Sequence, residues 1–434
     1  MEGIGLNFLR TGIGWAVLTA SVTSMAQNPL TLDEALKMAR ERNGTIKVSY
    51  LSYLAAKSAV RTAEGAFLPT LTPDFSYHVR RSNFQTGGPP SRVDSTQADF
   101  SVGFSWTLLD SGERGWTLFA NKRDAEAAQS SALNTLRNTL FLVHQQFYDA
   151  LRSQELSRVQ EFQLKRTETI LDQTKTRVQL GDAPQKDILQ ANADFLNAKA
   201  TSLQSRNRVI TSHADLKATI GWDEAPASYE LAAVSEPEFG ALDYSREQAI
   251  RDGLANRPDL ISQRKRVESA RADLRLAKIA AGVTWSLDAT AGKAFAPDVS
   301  DTVGLTLKAT IPLFDGFRSR EAVRTRQYSL DSALATLTQD ERDARSEIEA
   351  AYAEFELNRE ILGASNAARE AARENFRAAE ESQRLGAGDL IEVLTAQVSL
   401  ATAESNYVQA VYDLLISDIQ LRLVTGRPLP GETP

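Results

Sequence analysis

The chain has 434 residues, 42% hydrophobic and 24% charged, which is enough to bury a large ordered core. Its formal net charge is −7 and its pI about 5.3, against a nucleic-acid binder, which would carry a basic stripe or patch. It contains no cysteine, and this excludes disulfides, a Cys-ligated metal, a thiol nucleophile and a lipidated N-terminal Cys.

The N-terminus reads as a secretory leader. Arg10 precedes an apolar stretch over 13–22, and Ser24-Met25-Ala26 offers small side chains for cleavage before Gln27. The leader is assigned to residues 1–26, with the mature chain starting at Gln27. No later run of about 18 apolar residues occurs, so no helix of the mature chain can span a bilayer. An exported chain of this kind is periplasmic, secreted or a β-barrel.

Residues 32–67 have helical periodicity. Alternation then takes over. Phe75, Tyr77 and Val79 interleave with Ser76, His78 and Arg80, and Phe100, Val102, Phe104, Trp106 and Leu108 with Ser101, Gly103, Ser105 and Thr107. Period-two alternation predicts strands with one apolar and one polar face. Residues 113–180 lack proline and predict a helix that reaches about 100 Å if unbroken. Leu133, Leu136, Leu140, Val143, Phe147 and Ala150 form a coiled-coil seam on it. A turn at Gly181 leads to a second helix with the seam Leu189, Ala193, Leu196, Ala200, Leu203, Asn207 and Ile210. A joint rich in Pro, Ala and Glu follows at 222–243.

The same order then repeats. A helical stretch over 245–281 precedes two alternating segments, Trp285, Leu287, Ala289, Ala291 and Val303, Leu305, Leu307, Ala309, Ile311. A second long helix spans 318–385, and the last carries Val393, Ala396, Leu400, Ala403, Tyr407, Ala410 and Leu414 as its seam. Leu109-Asp110-Ser111-Gly112 answers to Phe314-Asp315-Gly316, and Thr219-Ile220-Gly221 to Val424-Thr425-Gly426. The chain is thus read as a first repeat over 27–221, a linker over 222–243, a second repeat over 244–426 and a tail over 427–434.

Four strands of about ten residues with one apolar face have the pattern of transmembrane β-strands. Four cannot close a barrel, and open edges are not tolerated in lipid. Closure therefore needs several copies, and three give twelve strands. Phe104, Trp106, Leu305 and Leu307 are expected to face lipid or its interface, with Trp106 and Trp285 in aromatic belts and Ser105 and Thr306 turned to the lumen.

At this point the residues resemble the TolC-like outer-membrane efflux proteins. The resemblance rests on the opening Leu30-Thr31-Leu32-Asp33-Glu34-Ala35-Leu36, on Phe67-Leu68-Pro69 before the first strand, on Pro312-Leu313-Phe314-Asp315-Gly316, and on the turns at 181–191 and 386–396, twice in the same order. It implies a mostly α-helical fold with a transmembrane β-barrel: a homotrimer closing a twelve-stranded barrel in the outer-membrane lipid and a twelve-helix periplasmic tunnel. It further implies a passive exit duct for efflux or type I secretion, without cofactor, meeting a periplasmic adaptor protein and an inner-membrane transporter. By the same resemblance the acids after the two hairpin turns, Asp187 and Glu392, are candidates for a periplasmic constriction, where three chains bring six carboxylates around one axis. Arg177, Gly181, Arg384 and Gly386 are candidates for adaptor contact at the tips. The chain departs from the family pattern at Ser382, which stands where Arg177 stands in the first half, and at Gln190 and Thr395, where a second acid is missing.

The plainer readings are structural. Asp110 and Asp315 suit helix caps, and Asp389-Leu390-Ile391-Glu392 fits a capping box. His78, His144 and His213 are far apart without metal or catalytic spacing, and no nucleophile elbow, P-loop or HExxH occurs. Three other architectures compete: a soluble sandwich capping a coiled coil, a periplasmic coiled-coil adaptor, which should lack membrane-length strands, and a cytosolic helical scaffold, which should lack both leader and strands.

Overall fold

The computed structural model describes residues 29–84, 91–181, 183–223, 229–234, 242–296, 298–385 and 387–432. The leader, 1–26, and Gly386 lie outside the described residues. Thr31 opens α1 (Leu32–Arg42) with a capping box: its hydroxyl accepts from the Glu34 N–H, and the Glu34 carboxylate accepts from the Thr31 N–H. Asn43 ends α1 in extended backbone and caps α2 (Gly44–Gly65), its side chain accepting from the Thr45 and Ile46 N–H groups. The single helical stretch expected over 32–67 is therefore two helices, because the Asn43 side chain offers the backbone an alternative to the helical ladder. The second half breaks at the matching place. Ser245 caps α5 (Arg246–Asn256), and Arg257 is held extended ahead of Pro258, which starts α6 (Pro258–Ile279).

The strands β1 (Thr70–Phe84), β2 (Ser91–Leu109), β3 (Thr284–Ala296) and β4 (Ser300–Thr310) form one antiparallel sheet in the order β1-β2-β3-β4. They are longer than the ten residues expected, at 15, 19, 13 and 11. Register decides the faces. Leu71, Phe104, Ala289 and Leu305 stand in one row, and Pro73, Val102, Ala291 and Val303 in the next but one. The rows that alternate with them carry polar residues and glycine: Thr70, Ser105, Asp288 and Thr306 on one side, Thr72, Gly103, Thr290 and Gly304 between, and Asp74, Ser101, Gly292 and Thr302 further along. Cross-strand partners share a face, so all four strands put their apolar residues on one side. On the other side the Ser105 hydroxyl donates to Asp288 at 2.7 Å. Trp106 and Trp285 lie together at the helix-joined end, with the Trp106 indole donating to the Phe67 carbonyl at 3.1 Å.

Each strand runs into a helix. α2 leads to β1, β2 to α3 (Glu113–Gln179), α6 to β3, and β4 to α7 (Arg318–Arg384). α2, α3, α6 and α7 pack in the same order as the strands they join. α3 and α7 have 67 residues each, about 100 Å at 1.5 Å per residue. α4 (Gln185–Ile220) returns along α3, and α8 (Leu390–Val424) lies between α3 and α7.

The core sits where the second pair of helices ends. Leu140, Val143, Phe147 and Ala150, fully buried, pack with Leu36, Leu216, Ile220 and Leu415. A second cluster joins Ile348, Phe355, Leu414 and Leu421. The seams expected on α3 and α8 are thus largely buried, but the one on α4 is not. Leu189, Leu196, Leu203 and Ile210 are exposed, and α4 buries Ala191, Ala198, Ser202, Leu216 and Ile220 against its own chain instead.

The segment after α4 is tied back to the first residues described. Leu30 and Leu231 pair as a short parallel bridge. The Tyr229 hydroxyl donates to the His213 carbonyl at 3.0 Å, and its ring packs on His213 and Trp222. The end of the chain is clamped as well. Leu429 is buried, and the buried Arg137 guanidinium donates to the Arg427 carbonyl and pairs with Glu432 at 3.5 Å.

Candidate functional site

The two hairpin tips lie about 100 Å of helix away from the sheet. At the first, Leu180 and Gly181 donate to Thr176 and Val178, and Gly181 takes φ +83°, which a side chain would resist. At the second, Ala387 and Gly388 both donate to the Ser382 carbonyl. Arg177 is exposed and makes no side-chain hydrogen bond or ion pair among the described residues. Arg384 is also exposed, but Glu381, one turn back on its own helix, accepts from it at 2.6 and 3.1 Å. The tips therefore differ in the cation they offer.

Asp187 lies in the first turn of α4, half-buried on the wall of a groove of about 630 Å³ between α4 and α8. Lys186, Gln190, Asp194, Thr395 and Ser399 supply its other polar groups. Glu392 is exposed and stands outside this groove, so one chain does not bring the two candidate acids together. The capping box expected at Asp389 is not formed: the Glu392 N–H is held by the Asp389 carbonyl at 3.2 Å, and the Asp389 side chain accepts no cap hydrogen bond. Neither acid is engaged in capping its helix, since α4 also starts at Pro184 without a side-chain cap.

Asp194 is a residue the sequence reading passed over. It follows Asp187 by seven, two turns on the same face, and accepts from the Gln190 amide at 3.1 and 3.3 Å. That heptad spacing was the available signal. Deeper along the same wall a second groove, about 500 Å³, is lined by Gln163, Asn197, Thr201, Gln397, Thr402 and Asn406. Gln397 is almost fully buried there and its amide has no partner among the described residues. The wall from the tip upward mixes amides and hydroxyls with Leu390, Leu394 and Val398, and carries two acids, Asp187 and Asp194, against one cation, Lys186.

Near the linker, burial pushes the Tyr229 hydroxyl well above the usual phenol range and the His213 imidazole below its ordinary value, with Lys217 adding to the latter. Both are held neutral in packing roles. Among the described residues no group of three or more His, Asp or Glu side chains is arranged to hold a metal.

A family model described as "Outer membrane efflux protein" matches residues 35–222 and again 249–427. The chain belongs to this family. The family model therefore matches each half of the chain in turn, in line with the paired helices and strand pairs. Among curated proteins the chain is similar to the outer membrane efflux protein BepC of Brucella suis, 23% identical over 95% of this chain and 89% of that one. It is similar to the outer membrane protein TolC of Vibrio cholerae at 23%, over 95% and 93%. Among solved structures the Campylobacter jejuni CmeC outer membrane channel superimposes with a TM-score of 0.82, at 15% identity, over 97% of this chain and 94% of that one. The chain is an outer-membrane channel-tunnel component reaching into the periplasm, part of a tripartite efflux or secretion system, and not an enzyme. No described helix is long and apolar enough to cross a membrane.

Proposed function

We propose that three copies close into a ring, a twelve-stranded barrel continued by a twelve-helix tunnel, and that this duct narrows at the hairpin tips. The observation that carries it is the pair of complementary free edges. β1 and α2 end one side of the chain, and β4 and α7 the other. Lipid does not tolerate open strand edges, and antiparallel order is preserved when β4 of one copy meets β1 of the next. Such a head-to-tail contact closes a ring when the rotation closes. Two copies would give an eight-stranded barrel filled by its own side chains, whereas three leave a lumen.

The helices support the same closure. α8 packs on α3 within the chain, and the matching partner for α4 is α7 of the neighbouring copy whose β4 meets its β1. α4 offers that partner Leu189, Leu196, Leu203 and Ile210, one per heptad and all exposed. α2 likewise leaves Val48, Leu51 and Leu54 uncovered beside the β1 edge.

In this reading residues 1–26 are a cleaved leader, 27–221 and 244–426 are the duplicated halves, 222–243 is an equatorial linker, and 427–434 is a tail pinned at its start by Arg137. Asp187 and Glu392 from three copies form an acidic constriction, with Asp194 one step behind. Arg177 with Gly181, and Arg384 with Gly386, form the tip surface for a periplasmic adaptor, beyond which stands an inner-membrane transporter. A charged ring at a narrow point sets ion selectivity. Single-channel conductance in a planar bilayer tests it: Asp187→Ala with Glu392→Ala should abolish cation preference and block by multivalent cations from the tip side. Unchanged selectivity would remove these acids from the constriction.

A further inference from the structure

Resting on ring closure, we infer that the joint between copies is a side-exchanged version of a joint inside the chain, in which Leu68 of one copy seats over Gly316 of the neighbour whose β4 meets its β1. The internal joint lies where α6 turns into β3 against the turn from β2 into α3. The Ser111 hydroxyl donates to the Val283 carbonyl at 3.0 Å. Gly282 lies so close that an added Cβ would stand 2.2 Å from the Ser111 oxygen and 2.6 Å from its Cβ. Only glycine fits opposite that serine.

The equivalent residues are fixed by matched geometry. α2 and α6 each have 22 residues, and Thr70 starts β1 as Thr284 starts β3, which sets Leu68 at the place of Gly282. Asp110 accepts from the Arg114 N–H and Asp315 from the Ser319 N–H, each four residues on. Ser111 and Gly316, the residues that follow these two acids, therefore hold the same place in their turns, and both take positive φ, 54° and 68°.

Across the ring the volumes are reversed. The β4–α7 turn presents Gly316, where an added Cβ meets nothing within 4 Å, and the α2–β1 turn presents Leu68, 67% exposed in the single chain. The serine-over-glycine contact inside the chain becomes leucine-over-glycine between copies, with the larger side chain moved to the opposite partner. The contact sits where barrel meets tunnel, so it locks both layers in one register.

Because the chain has no cysteine, a single engineered pair reports the contact without background. With Leu68→Cys and Gly316→Cys together, a short bismaleimide should give a ladder of linked dimer and trimer in denaturing gels, and neither single variant should. A particle that is still trimeric by mass in detergent but yields no ladder overturns the contact while leaving the ring intact. A particle of any other size overturns the ring and the contact together. As a second measurement, Gly316→Ser should lower the temperature at which the oligomer dissociates, and adding Leu68→Gly, which restores the internal pair of volumes, should raise it again. Failure of that rescue also counts against the contact.

Discussion

Val102 and Ser101 are neighbours on β2 that the register turns to opposite faces, so a charge at each separates the lipid side from the lumen side. Val102 stands in the row Pro73, Val102, Ala291, Val303, four residues from Trp106. Four residues make about 14 Å along a strand, or about 10 Å of depth at the usual tilt, close to the middle of an apolar band about 25 Å tall. An arginine there costs about 2–4 kcal/mol, roughly a 30- to 900-fold loss in the folding equilibrium. Ser101 lies in the polar row with Asp74 across from it. An arginine at Ser101 keeps its charge in water opposite a carboxylate and should shift stability by about 1 kcal/mol or less. Denaturant titration of the protein in lipid vesicles measures both variants. Equal losses for Val102→Arg and Ser101→Arg would refute the barrel face and favour a soluble sheet.

Other outcomes follow from the helical part. Leu196→Asp with Leu203→Asp, on the exposed ladder of α4, should leave the helix content of the chain unchanged and lower the dissociation temperature of the oligomer in detergent. Leu429→Ala should cost about 2–5 kcal/mol by thermal unfolding, because the side chain is buried in the core cluster that α1 and α3 share. Burial pushes the His144 imidazole below its ordinary value, against the opposing pull of its hydrogen bond to Leu140 and of Asp33. A depressed folded pKa means the unfolded chain takes up the proton first, so the stability is full above about pH 6.5 and is lost as pH falls through the lowered value. His144→Asn should flatten that decline, read as the unfolding midpoint across the range.

The amino-acid sequence by itself determined the periodic parts. Alternation such as Phe75, Tyr77, Val79 specifies a strand with one apolar face whatever it meets, and the proline-free stretches after Asp110 and Asp315 specify helices that α3 and α7 realise at 67 residues each. The candidate acids could be placed at the start of their helices from the turn glycines alone. Tertiary structure decided whatever depends on a neighbour. Asn43 breaks a helix that periodicity would continue, because its amide caps the next one. Leu196 and Leu203 look like core in sequence, yet they face away from their own chain, since α3 takes the other side of α4. The groove that Asp187 and Asp194 line needs α8 as its other wall, and the tail to Glu432 is anchored by Arg137, Arg40 and the buried Leu429, partners far away in sequence. A period in the sequence fixes which side chains share a face, but only packing fixes what that face touches.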